Sequence, residues 1–248
     1  MKITKDDSIL KWQTYLLGDH AIVFSLSSIM DEKIVAQIQS LNYFIQSKKI
    51  KGLIDFIPSY HTLTIVYDII PLYQTLTAAF ANSSIEQFGA QLLKEFLIIS
   101  VQELTDPIEK KLITIPVCYD ENFGIDLASI AAQKKMSTQE VIELHTQRVY
   151  SVYCLGFMPG FAYMGKVDEK IQTPRHEKPR AKVLAGSVGI AGAQTGLYPK
   201  DSPGGWQIIG RTPISLFDPI HLATLHVGDR VQFYAISMNE FLEIQNNK

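Results

Sequence analysis

Glycine and proline are concentrated in one part of this chain. Ten of its 15 glycines lie between Gly156 and Gly210, and seven of its 11 prolines lie between Pro159 and Pro219. Glycine adopts backbone conformations that other residues avoid, and proline stiffens the chain and removes a hydrogen-bond donor. A segment rich in both is expected to form short strands and shaped loops, which commonly carry function. The functional site is therefore sought in this segment.

The first hundred residues predict a small α+β domain with an antiparallel sheet. Apolar residues recur with helical spacing from Ile34 to Ile45 and from Ile85 to Ile99. Paired strands are predicted around turns at 18–20 and 58–61, namely 12–17 with 21–26 and 52–57 with 62–67. The order strand, strand, helix, strand, strand, helix is typical of helices packed on one sheet.

The pattern changes after Pro107. Ile113, Ile115 and Val117 alternate as in a strand, and Ser137 to Glu140 form a capping box before a helix predicted to run to about Val149. Short apolar segments separated by Gly and Pro then predict a β-barrel, with strands at 152–157, 182–185, 207–209, 214–217 and 230–235. A length of 248 residues suits two domains, predicted here as 1–105 (α+β) and 106–248 (barrel).

Charge and composition exclude several classes of protein. The 23 basic and 25 acidic side chains give a net charge of −2, so no nucleic-acid partner is expected. Residues 1–7 carry acids where a signal peptide is apolar, and no stretch approaches ~18 apolar residues, which predicts a cytoplasmic protein without membrane association. Cys118 and Cys154 lie in no Cys/His cluster, and the six histidines lack metal-ligand spacing, so reduced thiols and no metal site are predicted.

Three short motifs in the glycine-rich segment are similar to known signatures but fail their structural requirements. Gly160 to Val167 fits GxxxxGK, yet Val167 stands where a P-loop needs a Ser or Thr hydroxyl. Ala185 to Gly189 is close to the GxSxG nucleophile elbow, but more glycine follows instead of a helix. The glycines from 186 to 196 lack the GxGxxG spacing of a dinucleotide site.

A basic loop lies within this segment. Residues 173–182, TPRHEKPRAK, carry four fixed positive charges and one negative charge, a local excess of three. An arginine fork binds a carboxylate or phosphate through paired hydrogen bonds, and the flanking prolines reduce the entropy lost in positioning it. The segment is interpreted as an anion-binding loop or as a solvated basic loop.

Aromatic and polar residues lie between the neighbouring glycines. The segments are GFMPGFAY at 156–163, GAQTGLYP at 192–199 and SPGGW at 202–206. Aromatic walls with a few polar groups are typical of small-molecule pockets. Barrel core or a partner interface remains the other interpretation of these aromatic residues.

Taken together, these segments identify a family. The strings GFMPGFAYMG, TPR…KPR and AGSVGIAGAQTGLYPKDSPGGWQIIGRTPISLFDP strongly resemble the family of the 5-oxoprolinase B subunit, also called PxpB, KipI and allophanate hydrolase subunit 1. The resemblance extends to residues 18–23, 115–119 and 141–145 and covers essentially the full chain. It implies an α+β N-terminal domain followed by a cyclophilin-like β-barrel domain.

The resemblance also implies a function within a hetero-oligomer. The chain is expected to act with a PxpC/KipA-like subunit and a PxpA-like subunit in the ATP-dependent opening of 5-oxo-L-proline (pyroglutamate) to L-glutamate. ATP and Mg²⁺ are expected at the level of the complex, with none bound by this chain alone, and the isolated chain is expected to be inactive. Two other functions remain open: inhibition of a sporulation histidine kinase, as in KipI, and a carboxyltransferase-like role in urea or allophanate metabolism.

Within this interpretation, Arg175 and Arg180 are the candidate catalytic residues, binding phosphate or the substrate carboxylate. The candidate substrate-binding residues are Gln194, Tyr198, Gly204, Gly205, Trp206, Arg211, Lys178 and Lys182. No general base stands out in the sequence, which predicts that a partner protein completes the site.

Overall fold

A computed structural model describes residues 12–26, 31–80, 84–103, 112–220 and 222–247. The chain divides into two compact units, Met1–Glu109 and Lys110–Lys248. The predicted domain boundary at 105/106 lies outside the described residues, as does His221. No helix in the described part of the chain is long and apolar enough to cross a membrane.

The first unit is a four-stranded antiparallel sheet with helices. Its elements are β1 (Trp12–Leu17), β2 (Ala21–Leu26), α1 (Glu32–Ser47), β3 (Leu53–Ser59), β4 (Thr62–Tyr67), α2 (Ile69–Phe80) and α3 (Ile85–Glu103). The strand order is β1-β2-β4-β3, with every neighbouring pair antiparallel. The predicted α+β domain is confirmed.

Two details of the first unit differ from the sequence prediction. No helix is predicted over α2, although Gln74, Thr75 and Thr77 interrupt its apolar residues; Pro71, which argues against a helix in sequence, lies in the first turn, where the missing N–H disrupts nothing. The turn predicted at 58–61 is too long, since Pro58 and Ser59 still pair with β4. The chain reverses instead at Tyr60, whose φ of +47° lies in the left-handed region.

The second unit contains eleven strands and three α-helices among the described residues. They are β5 (Leu112–Cys118), α4 (Leu127–Lys134), α5 (Thr138–Thr146), β6 (Val149–Leu155), β7 (Ala162–Gly165), β8 (Arg180–Val183), β9 (Ser187–Ala191), β10 (Gln194–Leu197), β11 (Ser202–Gly204), β12 (Gln207–Arg211), β13 (Phe217–Asp218), β14 (Leu222–Ala223), β15 (Arg230–Ile236) and α6 (Met238–Asn246). Seven of these strands close into a barrel in the order β6-β15-β5-β12-β9-β10-β7, with β7 returning to β6.

The barrel confirms the predicted cyclophilin-like domain. The barrel is mixed, because β15 and β5 pair in parallel while the other neighbouring strands of the barrel pair antiparallel. Its interior is filled by buried aliphatic residues such as Val117, Val152, Ile190 and Ile209. β8 and β11 form a separate two-stranded ribbon that carries the glycine- and proline-rich loops.

Several predicted elements of this unit are confirmed with altered bounds. The capping box of Ser137 and Glu140 starts α5, which ends at Thr146 because β6 begins at Val149. The strand predicted at 214–217 is wrong over most of its length: Pro213 cannot donate to a ladder, and the N–H of Ile214 donates to the Thr212 hydroxyl in a turn. α4 is not predicted, because its eight residues are too few for a clear period.

A buried polar network crosses the barrel interior. His145 is fully buried, with Nδ1 2.7 Å from the Tyr119 hydroxyl and Nε2 2.9 Å from the Thr195 hydroxyl. Its ring stacks on Phe233 with centroids 4.7 Å apart. Burial lowers the pKa of His145 to about 3, so the ring is neutral and structural. His145 is therefore a hydrogen-bonded core residue.

Candidate functional site

The predicted basic loop lies against the turn between β11 and β12. The His176 N–H donates to the Gly205 carbonyl at 2.6 Å, and the Gln207 side-chain amide donates to the Pro174 carbonyl at 2.9 Å. Arg175 and Lys178 are exposed on this loop, whereas Arg180, at the start of β8, is half-buried. The start of the loop is therefore fastened to this turn, and the loop presents two exposed cations to solvent.

A buried carboxylate, Asp126, anchors this loop to the barrel. Asp126 directly precedes α4, yet its side chain does not cap that helix. Its Oδ1 accepts a hydrogen bond from Arg180 Nη2 at 2.5 Å, and its Oδ2 accepts one from the Ile208 N–H at 2.6 Å. The Asp126 N–H donates in return to the Ile208 carbonyl at 2.9 Å. The charge of Asp126 is thus balanced by Arg180, and β12 is fixed in register beside it.

A histidine shares the same carboxylate. His176 Nε2 lies 3.4 Å from Asp126 Oδ1, within ion-pair range, although this nitrogen makes no hydrogen bond of good geometry and is shielded from solvent. At 3.4 Å the contact is longer than an ordinary N–H···O hydrogen bond of about 2.9 Å, so it is a loose carboxylate–imidazole contact. Asp126, His176 and Arg180 therefore form one polar cluster, called here the Asp126 cluster.

An aromatic wall stands next to the Asp126 cluster. Phe161 is at its centre, with edge contacts to Tyr198 at 5.1 Å and to Trp206 at 5.5 Å and a tilted contact to Tyr163 at 4.7 Å. The Trp206 carbonyl accepts a long hydrogen bond from Arg180 Nη1 at 3.4 Å, which joins the wall to the cluster. Phe161 and Tyr198 are buried and Tyr163 and Trp206 are half-buried, so the wall is a small hydrophobic core beside the fixed charges.

Glycine is required where the wall packs closely. A Cβ on Gly204 would lie 2.5 Å from the Tyr198 hydroxyl oxygen, and one on Gly196 would lie 2.9 Å from the Trp206 ring. Tyr198 is itself buried, and burial raises the pKa of its hydroxyl, with the Trp206 N–H acting in the opposite sense. Tyr198 thus lies inside the wall as a neutral phenol.

Two predicted cations belong to a different cluster. Lys182 Nζ pairs with Asp201 Oδ2 at 2.9 Å in an exposed setting, and Asp201 Oδ1 accepts the Ala185 N–H at 2.8 Å. Arg211 Nε donates to the Ala185 carbonyl at 2.7 Å, and its guanidinium lies 5.5 Å from the centre of the Phe123 ring. Lys182 and Arg211 therefore brace the turn between β8 and β9.

Gln194 and Gly205 are the remaining predicted residues, and both are half-buried. Gln194 is half-buried at the start of β10, where it faces Ala191 of β9 and Gly165 of β7. Gly205 is half-buried and accepts the His176 N–H through its carbonyl. Of the predicted set, the structure thus brings together Arg180, Tyr198, Gly204, Gly205 and Trp206, with Arg175 and Lys178 on the same loop.

The GxxxxGK-like and GxSxG-like segments are not followed by the helix that each signature requires. Gly160 to Val167 forms a loop and β7, followed by only a short 3₁₀ turn at Glu169–Ile171. Ala185 to Gly189 joins two strands, with Gly186 at φ +83°.

Burial raises the pKa of the Cys118 thiol, which opposes thiolate chemistry there.

The basic loop of the site is exposed to solvent at Arg175 and Lys178. Two grooves of about 720 and 450 Å³ lie elsewhere, the first lined by Trp12 and Leu97 and the second by Thr146 and Tyr234. A small-molecule site generally encloses most of its ligand. The exposed cations of the basic loop therefore suit a site that a second chain covers.

Two members of the site, Asp126 and His176, are absent from the sequence-predicted set. Asp126 is hidden in sequence because α4 is not predicted, and its partners are 54 and 82 positions away. His176 stands inside the predicted loop, where its proline-flanked setting between charged residues is a local signal, but no local pattern shows that it faces a carboxylate.

Comparison with known proteins shows the class of domain to which this chain belongs. Residues 12–226 match the family model described as carboxyltransferase domain, subdomain C and D. The fold is shared with the urea amidolyase of K. lactis, at a TM-score of 0.70 and 20% identity over 98% of this chain and 16% of that one. The barrel and its loops are thus those of a carboxyltransferase C–D domain.

Within that class, this chain belongs to the family of the 5-oxoprolinase B subunit. It is 34% identical over 240 residues to the protein of that name from Bacillus subtilis (strain 168), covering 94% of this chain and 96% of the relative. The crystal structure of TTHA0988 matches with a TM-score of 0.69 and 29% identity over 88% of this chain. This chain spans only 40% of the length of TTHA0988.

Proposed function

We propose that this chain is one subunit of an ATP-dependent 5-oxoprolinase, which opens 5-oxo-L-proline to L-glutamate together with PxpC/KipA-like and PxpA-like subunits. The observation that carries the proposal is the end-to-end match to a protein named as the B subunit of 5-oxoprolinase, over 96% of that relative. A name that specifies one subunit implies others. The exposed Arg175 and Lys178 of the basic loop support the same conclusion, because a partner subunit can reach them.

The chemistry suits fixed cations. A lactam carbonyl is a poor electrophile, and transfer of a phosphoryl group from ATP to its oxygen makes the carbonyl carbon open to attack by water. Negative charge then develops on phosphoryl and carbonyl oxygens, which positioned arginine and lysine side chains stabilise. Arg175 and Lys178 are exposed and available for such an anion, and Arg180 adds a third cation fixed by Asp126.

The described residues of this chain do not form a magnesium site of their own. Among the described ranges, no three His, Cys, Asp or Glu side chains gather closely enough to hold a metal. We therefore assign ATP and Mg²⁺ to the assembled complex and derive no step through the metal here. Cytoplasmic assembly is part of the proposal and is supported by the two free cysteines.

Reconstitution tests the proposal. The chain is purified alone and with its two partner subunits, and glutamate release from 5-oxoproline is measured with and without ATP. We expect ATP-dependent release only from the complex. Release by the isolated chain would refute the shared site, and an inactive complete complex would refute the function.

Arg175 gives a sharper test of the site. Arg175→Ala removes an exposed cation, so we expect activity of the complex to fall at least tenfold while assembly and thermal stability stay unchanged, since one charge-assisted hydrogen bond contributes about 1.5–3 kcal/mol. Arg230→Ala, at an exposed arginine on β15, is the matched control. Equal rates for the two variants would remove Arg175 from the site.

A carboxyltransferase role is the second candidate function. It is favoured by the family model that the chain matches, which is described as a carboxyltransferase domain. In that case the chain would act with a biotin-carrying partner on urea or a related amide. Exchange of carboxyl groups between carboxybiotin and urea by the complex, without glutamate release from 5-oxoproline, would favour this alternative.

A further inference from the structure

The Asp126 cluster contains a group suited to proton transfer, which is missing from the predicted set. His176 is the histidine of the basic loop, and its side chain is about one-third exposed, so the ring is part shielded and part accessible. Histidine is the side chain whose ordinary pKa lies nearest neutral pH, and it is the commonest acid–base group in enzymes. Its position beside Arg175 and Arg180 places it where the proposed substrate anion binds.

A carboxylate lies within ion-pair range of the ring. Nε2 of His176 is shielded and 3.4 Å from Asp126 Oδ1, and the backbone N–H of His176 is fixed at 2.6 Å from the Gly205 carbonyl. Asp126 is in turn fixed by Arg180 and the Ile208 N–H. A carboxylate on one ring nitrogen selects the tautomer and leaves the opposite nitrogen as the proton acceptor.

We propose that His176 transfers protons during ring opening, with Nε2–H directed at Asp126 and Nδ1 facing the substrate, and that Asp126 is the positioning residue. This inference rests on the proposed function. Asp126, from the segment before α4, lies in ion-pair range of the ring, and Arg180, from β8, shares that carboxylate. Arg175 and Glu177 flank it on the loop and are exposed.

The step balances as follows. With the phosphoryl group on the carbonyl oxygen and the ring nitrogen a protonated imine, a water oxygen bonds to the ring carbon. The C=N π pair moves to nitrogen, and one water proton passes to Nδ1 of His176. The C–N bond then breaks with its electron pair on nitrogen, which takes the proton from His176. The new hydroxyl releases its proton to solvent and becomes the carbonyl of an acyl phosphate, which a second water hydrolyses.

Two measurements test the inference, the first on the isolated chain. The ¹⁵N chemical shifts of the imidazole nitrogens identify the tautomer of each neutral histidine. We expect His176 to be mainly the Nε2–H tautomer and Asp126→Asn to alter its tautomer ratio, while His226, an exposed histidine 3.8 Å from Asp229, stays unchanged. A His176 that is Nδ1–H, or that does not respond to Asp126→Asn, would overturn the pairing.

The second measurement uses the reconstituted complex. We expect His176→Gln to lower kcat by about 10²-fold or more, to remove the acid limb of the pH–rate profile, and to be partly rescued by added imidazole. His226→Gln, the matched control, should keep the wild-type rate. A His176→Gln complex that is assembled and fully active, or an unaltered pH profile, would overturn the role of His176 alone. An inactive wild-type complex would overturn the proposed function and this role together.

Discussion

Asp126 is predicted to be the residue whose loss most weakens the loop that carries the site. Asp126→Ala would leave the buried Ile208 N–H, now 2.6 Å from Oδ2, without an acceptor, at a cost of about 1–3 kcal/mol. It would also remove the charged hydrogen bond from Arg180, about 1.5–3 kcal/mol. Because the Arg180 side chain is 28% exposed, solvent compensates part of this loss. We therefore expect a net loss of about 3 kcal/mol.

A graded series separates the two contributions. Asp126→Asn keeps an oxygen acceptor for the Ile208 N–H and removes only the charge, so it should cost about half as much as Asp126→Ala. Urea unfolding is followed by fluorescence in a Trp12→Phe background, where Trp206 of the barrel is the remaining tryptophan. A double-mutant cycle of Asp126→Asn with Arg180→Gln should give a coupling free energy of about 1 kcal/mol or more. Equal costs for Asn and Ala, or a coupling below about 0.3 kcal/mol, would refute this reasoning.

Two further predictions concern the barrel. Gly204→Ala should lower the free energy of unfolding by about 1–3 kcal/mol, because the new Cβ would lie 2.5 Å from the hydroxyl oxygen of buried Tyr198. Gly156→Ala, whose Cβ would meet only Cys154 Sγ at 3.9 Å, is the control, and equal effects of the two in urea unfolding would contradict the packing argument. For His145, burial lowers the folded-state pKa to about 3, below the ordinary value of about 6.5. The unfolded state therefore binds a proton that the folded state excludes, and stability is lost as pH falls from about 6.5 toward 3, at about 1.4 kcal/mol per pH unit. Unfolding at pH 7 and pH 5 should show this loss, about 2 kcal/mol, in the wild type and not in His145→Gln; the same pH dependence in both proteins would show that His145 is not its source.

The elements predicted from sequence are those with a strong local signal. The Ser137 capping box is confirmed because both of its hydrogen bonds lie within one turn of helix. The strands around Gly18 are confirmed because the glycine turn lies between two apolar segments that pair antiparallel. α2 and α4 are missed for different reasons: α2 contains Pro71 in its first turn, and α4 is too short to show a period.

The candidate site divides in the same way. Its basic loop is visible in sequence because charge and proline cluster locally, as at Arg175. Asp126, which anchors this loop, is not visible in sequence, because its contact with Arg180 joins residues 54 positions apart. Sequence also groups Lys182 and Arg211 with the site, whereas both brace the turn at Ala185. A cation's partner depends on tertiary packing, which local patterns do not contain.

Glutamate formation is the most direct test of the central proposal. The wild-type chain is combined with its two partner subunits, and glutamate and ADP are quantified after incubation with 5-oxoproline and ATP. We predict that both products accumulate together and that neither is formed when this chain is omitted or present alone. Glutamate formation at an unchanged rate without this chain, or none with all three subunits present, would contradict the proposal.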